Sequence, residues 1–296
     1  MNADHLHAVL NDAVSRAGLT SDRPAAIRIG ENAIFRLRPG VVARISRQGQ
    51  LETARKEVAV ARWLQKESVQ AVRVLGEIQQ PISVCGHAVT FWHELPPHEN
   101  GSRVELAASL RSLHQLPVPR EFELPLLAPF EGLAERIESA ATFSDAERQW
   151  LRRHLDDLRA EYDRLPQGKP HSVLHGDAWP GNIVRSTGDG EILVIDLERF
   201  SVGPPEWDLL HTAISYATVG KLSHVEYAEF VDVYGLDVLD WSGYPTLRDI
   251  RELRLTLFAA QMAAENSQST GQASHRLACL KGELGERPWK GWEAVP

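Results

Sequence analysis

The first hundred residues alternate between helical and strand-like spacing of their apolar positions. Near the N-terminus, apolar residues recur every three or four positions and predict an amphipathic helix that ends at Gly18. From Ala25 to Arg47 the pattern changes to short apolar runs broken by glycine and proline, which predicts a small antiparallel sheet. The predicted strands are Ile27–Ile29, Ile34–Leu37, Val41–Ile45, Val72–Ile78 and His87–Trp92, with a helix over Thr53–Gln65.

The remainder of the chain is mainly helical in pattern. A turn-rich segment, residues 96–101, separates the two regions and predicts an N-terminal lobe of residues 1–95 and a C-terminal lobe of residues 96–296. Ser144 with Glu147, and Ser223 with Glu226, have the spacing of capping boxes, and the first pair predicts a long helix that ends near Leu165. One strand-like island, Val173 to Ile195, interrupts the helices.

Polar residues that can perform chemistry gather in this island. His175-Gly176-Asp177 follows an apolar run, Asn182 comes five residues after Asp177, and a second apolar run ends in Asp196. The turn formers of residues 186–190 predict a hairpin that brings Asn182 opposite Asp196, with a register uncertain by one residue. Directly opposed residues lie about 5 Å apart at Cβ, so an amide oxygen and a carboxylate can share one cation.

An oxygen-only site with few protein ligands suits magnesium, which takes its other ligands from water and substrate phosphates. A nucleoside triphosphate is therefore the expected partner. Phosphoryl transfer also needs a carboxylate that accepts the proton of the acceptor hydroxyl, and protein kinases place that aspartate five residues before a metal-binding asparagine. This spacing predicts Asp177 as the catalytic base.

Taken in order, the segments His175-Gly176-Asp177 with Asn182, Ile195-Asp196, and Gly203 to Leu209 resemble the aminoglycoside phosphotransferase and choline kinase-like family. The resemblance implies that Asp177 is the catalytic base, that Asn182 and Asp196 bind magnesium, and that Asp208 supports the catalytic loop. It also implies an α+β, bilobal, protein-kinase-like fold with the nucleotide, ATP or GTP, held between the lobes.

The N-terminal region contains candidate nucleotide-binding residues. Gly30 and Asn32 resemble the short phosphate loop of this family, in which backbone groups near Glu31 and Asn32 face the phosphates. Arg44 stands where the family has a lysine, and Glu57 on the next helix is placed to pair with it. An arginine binds phosphate through a planar fork rather than as a point charge, and an ordinary surface ion pair is the alternative interpretation of Arg44 and Glu57.

Other polar and aromatic residues have weaker signals. Trp92 and Glu94 belong to a segment that is a candidate hinge for a purine edge. His175 is expected to orient the catalytic loop by hydrogen bonding rather than to act in catalysis. Large aromatic residues such as Trp207 are expected in the core more often than in a pocket wall.

The charged residues around and beyond the motif leave two alternatives open. Glu198 and Glu206 either face a cationic acceptor or cap and solvate a helix start. Arg248, Arg251 and Arg254 recur at helical spacing, which favours a solvated helical face over a clamp for an acceptor phosphate.

Composition narrows the choice of partners and compartment. The 296 residues carry a formal net charge of −8, so a broad nucleic-acid surface or a polybasic membrane patch is not expected, and a neutral or cationic acceptor is favoured. The two cysteines, Cys85 and Cys279, form no disulfide pattern, which indicates a reducing compartment. Without a recognisable signal peptide or membrane span, the cytoplasm is the expected location.

These observations predict a magnesium-dependent kinase that transfers the γ-phosphate of ATP or GTP to a hydroxyl of a small molecule. Candidate acceptors are a cationic, aminoglycoside-like antibiotic and an amino sugar or amino alcohol metabolite, so antibiotic inactivation and metabolic phosphorylation both stay open. A nucleotide-binding pseudokinase is the main alternative. A protein kinase is a third hypothesis, disfavoured by the short glycine loop and by Gly176, which stands where protein kinases have the loop arginine. The oligomeric state is left open.

Overall fold

The computed structural model of the chain describes residues 3–21, 23–30, 32–76, 78–266 and 269–293. The described residues form an α+β fold whose α-helices are α1 (Ala3–Arg16), α2 (Leu51–Lys66), α3 (Arg103–His114), α4 (Leu133–Ser139), α5 (Asp145–Tyr162), α6 (Glu206–Ala217), α7 (His224–Tyr234), α8 (Tyr244–Glu265) and α9 (Thr270–Leu280). The strands are β1 (Ala25–Ile29), β2 (Ala33–Arg38), β3 (Val41–Gln48), β4 (Ile82–Val84), β5 (His87–His93), β6 (His98–Asn100), β7 (Ser172–Leu174), β8 (Ile183–Ser186), β9 (Ile192–Val194) and β10 (Ser201–Gly203).

The chain divides into two compact units that do not coincide with the predicted lobes. The first unit comprises Met1–Pro125 and Trp179–Ser201, and the second comprises Leu126–Ala178 and Val202–Pro296. The segment that follows the catalytic loop therefore returns to the first unit. The functional division of the chain into lobes of residues 1–95 and 96–296 stays a prediction.

The main sheet of the first unit has the strand order β1-β2-β3-β5-β4, and each neighbouring pair is antiparallel. Alternate side chains of a strand point to opposite faces. Phe35, Ala43 and Phe91 accordingly belong to a buried core that they share with the apolar stripe of α1, including Leu6 and Leu10. On β2, β3 and β5, the residues next to Phe35, Ala43 and Phe91 in sequence point to the opposite face of the sheet.

One strand prediction was wrong. The segment Val72–Ile78, whose Glu77 lies outside the described residues, makes only an isolated bridge between Val74 and Trp92, while residue 71 bridges to Val194. The reason is that β4, which the sequence pattern did not predict, occupies residues 87–89 of the same β5 edge, so the segment pairs only with residues 91–93 beyond it.

Capping boxes fix the starts of three helices. Both predicted boxes are present, with the side chains of Ser144 and Ser223 accepting from the backbone N–H of Glu147 and Glu226. Ser102 caps α3 in the same way. Helix α5 ends at Tyr162 rather than near Leu165.

The predicted hairpin forms, with its register shifted by one residue from the predicted opposition. Strands β8 and β9 are antiparallel, and Ile183 lies opposite Val194. The N–H of Ile195 then donates to the carbonyl of Asn182 at 3.0 Å. Asn182 is thus opposite Ile195, and Asp196 comes one residue later.

The second unit is mainly helical. Strand β7 pairs with β10, whose first residue is the last one of the first unit, and α8 packs against α4, α5, α6 and α9. The buried apolar positions of α8 include Leu247, Ile250, Leu253 and Leu257. Among the helices of the described residues, none combines the length and the apolar content needed to cross a bilayer.

Candidate active site

A pocket of 760 Å³ opens within the first unit, on the face of the main sheet that α1 does not cover. Its position follows from the alternation of β2 and β3, because Ile34 and Val42 point into it while their neighbours face the core. The apolar lining residues are Ile27, Ile34, Val42, Val72, Trp92, Leu95, Pro96 and Pro97. The charged lining residues are Arg36, Arg44, Glu57, Glu94 and Asp196.

Arg44 is the centre of the charged group in this pocket. Its Nη1 donates to Glu57 Oε1, so the two residues predicted to pair form an ion pair. Its Nη2 lies 3.4 Å from Glu198 Oε2. With the Asn32 amide oriented so that its oxygen faces the guanidinium, Oδ1 accepts from Arg44 Nε and Nη2 at 3.2 and 2.8 Å. Arg44 therefore joins β3, α2, the turn before β2 and the segment after β9.

Burial and charge act in opposite directions on this group. Burial alone lowers the pKa of the Arg44 guanidinium, but the neighbouring carboxylates, chiefly Glu57, outweigh it and raise that pKa above its usual value. Burial also raises the pKa of the Glu57 carboxyl, although Arg44 opposes the shift. Arg44 consequently remains a cation in the pocket. Glu198 contacts this cation, a contact that neither alternative interpretation of Glu198 included.

The ion pair provides a test of how the pocket is held together. Glu57→Gln is expected to lower the free energy of unfolding by about 2 kcal/mol, because it leaves a partly buried guanidinium without its principal counter-charge. Chemical denaturation measures the change. Glu52→Gln, on the exposed side of the same helix, is the matched control and should change stability by less than about 0.5 kcal/mol. Equal effects of the two substitutions would contradict a structural role of the Arg44 pair.

The predicted phosphate loop is only partly described, because Glu31 lies outside the described residues. Gly30 donates its N–H to the carbonyl of Asn32 at 3.2 Å, and a Cβ at Gly30 would make an ordinary contact with Arg28. Nothing in the described geometry demands glycine at this position. Asn32 is placed beside the pocket by its contact with Arg44, and its role towards phosphate stays a prediction.

The candidate hinge residues line the same pocket. Trp92 is buried, and its Nε1 donates to Thr90 Oγ1 at 2.8 Å. The side chain of Glu94 accepts from Arg36, with Nε at 2.7 Å, and its backbone N–H donates to the carbonyl of Gly40. The N–H of Glu94 is therefore already used within the sheet, so a purine edge would have to bind other groups of this segment.

The predicted metal ligands both belong to the first unit. Asn182 is buried at the start of β8, and Asp196 lines the pocket with its backbone in the left-handed region at φ 57° and ψ 67°. Aspartate tolerates this conformation, which is uncommon for residues other than glycine and concentrates at functional sites. An amide and a carboxylate are suitable oxygen donors for magnesium. In the described parts of the chain, no group of three or more His, Cys, Asp or Glu side chains is placed to hold a metal.

The predicted catalytic loop belongs to the second unit and is anchored by Asp208 on the first turn of α6. Asp208 is buried, and its two oxygens accept from the backbone N–H groups of His175 at 2.7 Å and Gly176 at 2.9 Å. Trp207 Nε1 donates to the carbonyl of Gly176 at 3.1 Å. Gly176 has φ 83°, a left-handed conformation in which a Cβ is disfavoured. The start of α6 thus holds the loop in one shape.

Asp177 follows this loop with its side chain 32% exposed, so a hydroxyl can reach its carboxylate. Its N–H lies 3.4 Å from His175 Nδ1, and His175 itself is buried. Arg251 Nη2 donates to Asp177 Oδ1 at 2.6 Å. The expectation of a solvated face for Arg251 was wrong, because α8 packs at the centre of the helical unit and this side of it faces the loop.

The other charged residues near the motif, Glu206, Arg248 and Arg254, form hydrogen bonds or ion pairs within the protein. Glu206 is buried and accepts from the N–H of Lys169 at 2.7 Å, so it neither caps an exposed helix start nor faces solvent. Arg254 donates to the carbonyl of Pro129, and Arg248 contacts Asp249. Trp207 is buried, as its size predicted. Sequence reasoning missed the role of Arg251 because the three-residue spacing of Arg248, Arg251 and Arg254 shows only that they share a helix face. The spacing does not show which part of the protein covers that face.

The folds of the two units, and the residue types that each contributes to the predicted site, are typical of a phosphotransferase with a protein-kinase-like fold. The sequence profile of the phosphotransferase enzyme family matches residues 28–250, and the chain belongs to that family. Membership confirms the predicted family, the α+β kinase-like fold and the enzyme class of small-molecule kinases. No curated protein matches the chain in sequence.

Solved structures that resemble the chain share the fold at low sequence identity. An aminopropanol kinase associated with a microcompartment is 18% identical, with 94% of this chain and 97% of that chain covered at a TM-score of 0.69. A choline kinase from Streptococcus pneumoniae is 15% identical, with 93% and 99% covered at 0.64. A spectinomycin phosphotransferase in complex with ADP and spectinomycin is 15% identical, with 97% and 96% covered at 0.61.

Proposed function

We propose that this phosphotransferase moves the γ-phosphate of ATP or GTP to a hydroxyl group of a small molecule, with magnesium as the cofactor and Asp177 as the catalytic base. The observation that carries the proposal is the anchored loop, in which Asp208 fixes two backbone N–H groups and leaves the Asp177 carboxylate accessible. A general base must be held at a defined position and remain reachable by its substrate.

The pocket of the first unit is the proposed nucleotide site. Its apolar lining suits a base, and its charged end, with Arg44 and Asp196, suits a triphosphate with a divalent cation. Asn182 and Asp196 are the proposed metal ligands. Bound magnesium would neutralise phosphate charge, while Arg44 adds a cation fixed by Glu57 and Glu198. The solved spectinomycin phosphotransferase that resembles this chain holds ADP.

In the proposed reaction the residues of this chain orient the acceptor and move one proton. Asp177 accepts a hydrogen bond from the acceptor hydroxyl and takes its proton as the oxygen bonds to the γ-phosphorus. The bond from that phosphorus to the bridging oxygen breaks, and its electron pair leaves with the nucleoside diphosphate. Asp208 and the buried His175 keep the loop in place throughout.

We propose that the acceptor is a small molecule with a hydroxyl group. The experiment described below identifies which compound of this class reacts. The resembling enzymes are named for aminopropanol, for choline and for spectinomycin, and the first two of these compounds carry an amino or ammonium group. Antibiotic inactivation and metabolic phosphorylation are both compatible with this scaffold, because the acceptor site is grafted onto the fold.

A pseudokinase is the competing proposal. It would retain nucleotide binding and lack turnover, although a module without transfer chemistry has no physical need for a base and two metal ligands.

The deciding experiment is magnesium-dependent release of nucleoside diphosphate over a panel of aminoglycosides, amino sugars, amino alcohols and hydroxy acids. Turnover that depends on acceptor and magnesium supports the kinase. Tight nucleotide binding without turnover of any acceptor would favour the pseudokinase.

Asp196→Asn tests the proposed metal site. We expect it to weaken magnesium-dependent nucleotide binding at least about tenfold, because one ionic contact to the metal is lost. Calorimetric titration of a non-hydrolysable ATP analogue, with magnesium and with EDTA, measures the effect. In EDTA the variant and the wild type should bind equally. Asp189→Asn, in the exposed turn after β8, is the control and should bind as the wild type does.

A further inference from the structure

The proposed base has a cationic partner that the motif did not predict. Arg251 on α8 donates from Nη2 to Asp177 Oδ1 at 2.6 Å, within the second unit. Residue 251 comes directly after the last residue that the family profile matches. The motifs that carry the family resemblance do not include this arginine, and its role is inferred from its surroundings.

Arg251 is held in place on more than one side. Its side chain is only 11% exposed, against 32% for Asp177. Its Cζ lies 5.9 Å from the centroid of the Trp207 ring, within the range of a cation–π contact. Trp207 is itself fixed by its bond to the carbonyl of Gly176. A fixed guanidinium thus lies beside the accessible carboxylate.

The guanidinium has donors to spare for a substrate. It carries five N–H groups, and within the residues that the structure describes its hydrogen bonds go to Asp177 alone. Its planar fork matches the two oxygens of a carboxylate. For comparison, Arg254, one turn along the same helix, donates to the carbonyl of Pro129.

Proton transfer changes the charge balance around Arg251. Before the reaction, ionised Asp177 compensates the guanidinium. When Asp177 takes the hydroxyl proton it becomes neutral, and a mostly buried cation loses its counter-charge. An anionic group on the acceptor, bound to the same guanidinium, would restore that balance. A cationic group at this position would instead be repelled.

We propose that Arg251 binds a carboxylate of the acceptor, so that the substrate class is a small hydroxy acid or hydroxy amino acid. This inference rests on the proposed function. Hydrogen bonds of about 2.8 Å to Asp177 and to Arg251 place the hydroxyl and the carboxylate roughly 4–6 Å apart, a span of two to four carbons. A carboxylate fits better than a phosphate, because Arg251 supplies a single positive charge. An amino group elsewhere in the acceptor stays compatible with the cationic acceptor predicted from the sequence.

The test compares acceptors that differ only by a carboxylate: ethanolamine with serine, 3-aminopropanol with homoserine, and ethylene glycol with glycerate. We expect the wild type to favour the acid member of at least one pair by at least about tenfold in kcat/KM. Arg251→Gln should remove that preference while the KM for nucleotide stays unchanged, and Arg251→Lys should retain part of it. Arg254→Gln, the matched control on α8, should keep the full preference.

Binding of the same compounds, measured by calorimetry with a non-hydrolysable nucleotide present, covers the case of slow turnover. If no acid binds or reacts better than its partner alcohol, the carboxylate inference is wrong. If Arg251→Gln lowers kcat equally for acids and alcohols, Arg251 only positions Asp177, and the inference is again wrong. The proposed function is judged separately, by magnesium-dependent nucleotide binding and by the effect of Asp177→Asn on turnover of any acceptor.

Discussion

Asp177→Asn is expected to lower kcat by about 10²- to 10⁴-fold, because the amide cannot take the proton of the acceptor hydroxyl. Asparagine has nearly the size of aspartate and keeps one oxygen that can accept from Arg251, so the loop should retain its shape. The proposed nucleotide pocket is lined by other residues, and nucleotide affinity should therefore remain within about threefold of the wild type. Steady-state kinetics and nucleotide titration together separate the two effects.

The matched control for this substitution is Asp157→Asn, at an exposed position of α5 in the same unit. It should leave kcat and KM unchanged. Turnover of Asp177→Asn near the wild-type rate would sink the assignment of Asp177 as the base. A large loss of nucleotide affinity in the same variant would indicate that Asp177 acts on the nucleotide rather than on the acceptor.

Asp208→Ala should have the largest effect on stability, a loss of about 3 kcal/mol in the free energy of unfolding. Two backbone N–H groups, of His175 and Gly176, lose a buried charged acceptor, and nothing in alanine replaces it. For a protein of 296 residues such a loss corresponds to a fall of about 5 °C in Tm. Because the same bonds shape the catalytic loop, kcat should fall as well.

Asp208→Asn separates the contribution of charge from that of shape, since it keeps one acceptor oxygen and should lose less stability than alanine does. Asp232→Ala, at an exposed position of α7, is the control and should change stability by less than about 0.5 kcal/mol. Thermal unfolding monitored by circular dichroism measures all three. A change of Tm below 2 °C for Asp208→Ala would show that the loop does not depend on this carboxylate.

Local sequence signals predicted much of the fold because they act within a few residues. The capping boxes at Ser144 and Ser223 and the hairpin of β8 and β9 depend on neighbours in sequence, and all three form. The segment Val72–Ile78 fails as a full strand for a reason that lies outside it: β4 occupies residues 87–89 of the β5 edge and leaves only residues 91–93 open to this segment. Strand propensity indicates that a segment can form a strand. Whether it does so also depends on whether a neighbouring strand has a free edge for it to pair with.

The same distinction applies to the candidate site. The predicted ion pair of Arg44 with Glu57 is present, since strand alternation and helix placement determine it locally. Glu198 reaches Arg44 across 154 positions of sequence, and no spacing rule connects the two. The bond of the Glu94 N–H to Gly40 likewise depends on how β3 and β5 align. Roles of these residues towards nucleotide stay predictions.

The sequence by itself determined the family and the motif that places three oxygen-bearing side chains, Asp177, Asn182 and Asp196, in the predicted site. It could do so because a motif depends only on residue type and short spacing. The tertiary structure alone decided that Arg251 faces Asp177 and that Glu206 is buried. Helical spacing specifies which side chains share a face, whereas the packing of α8 within its unit specifies what that face contacts.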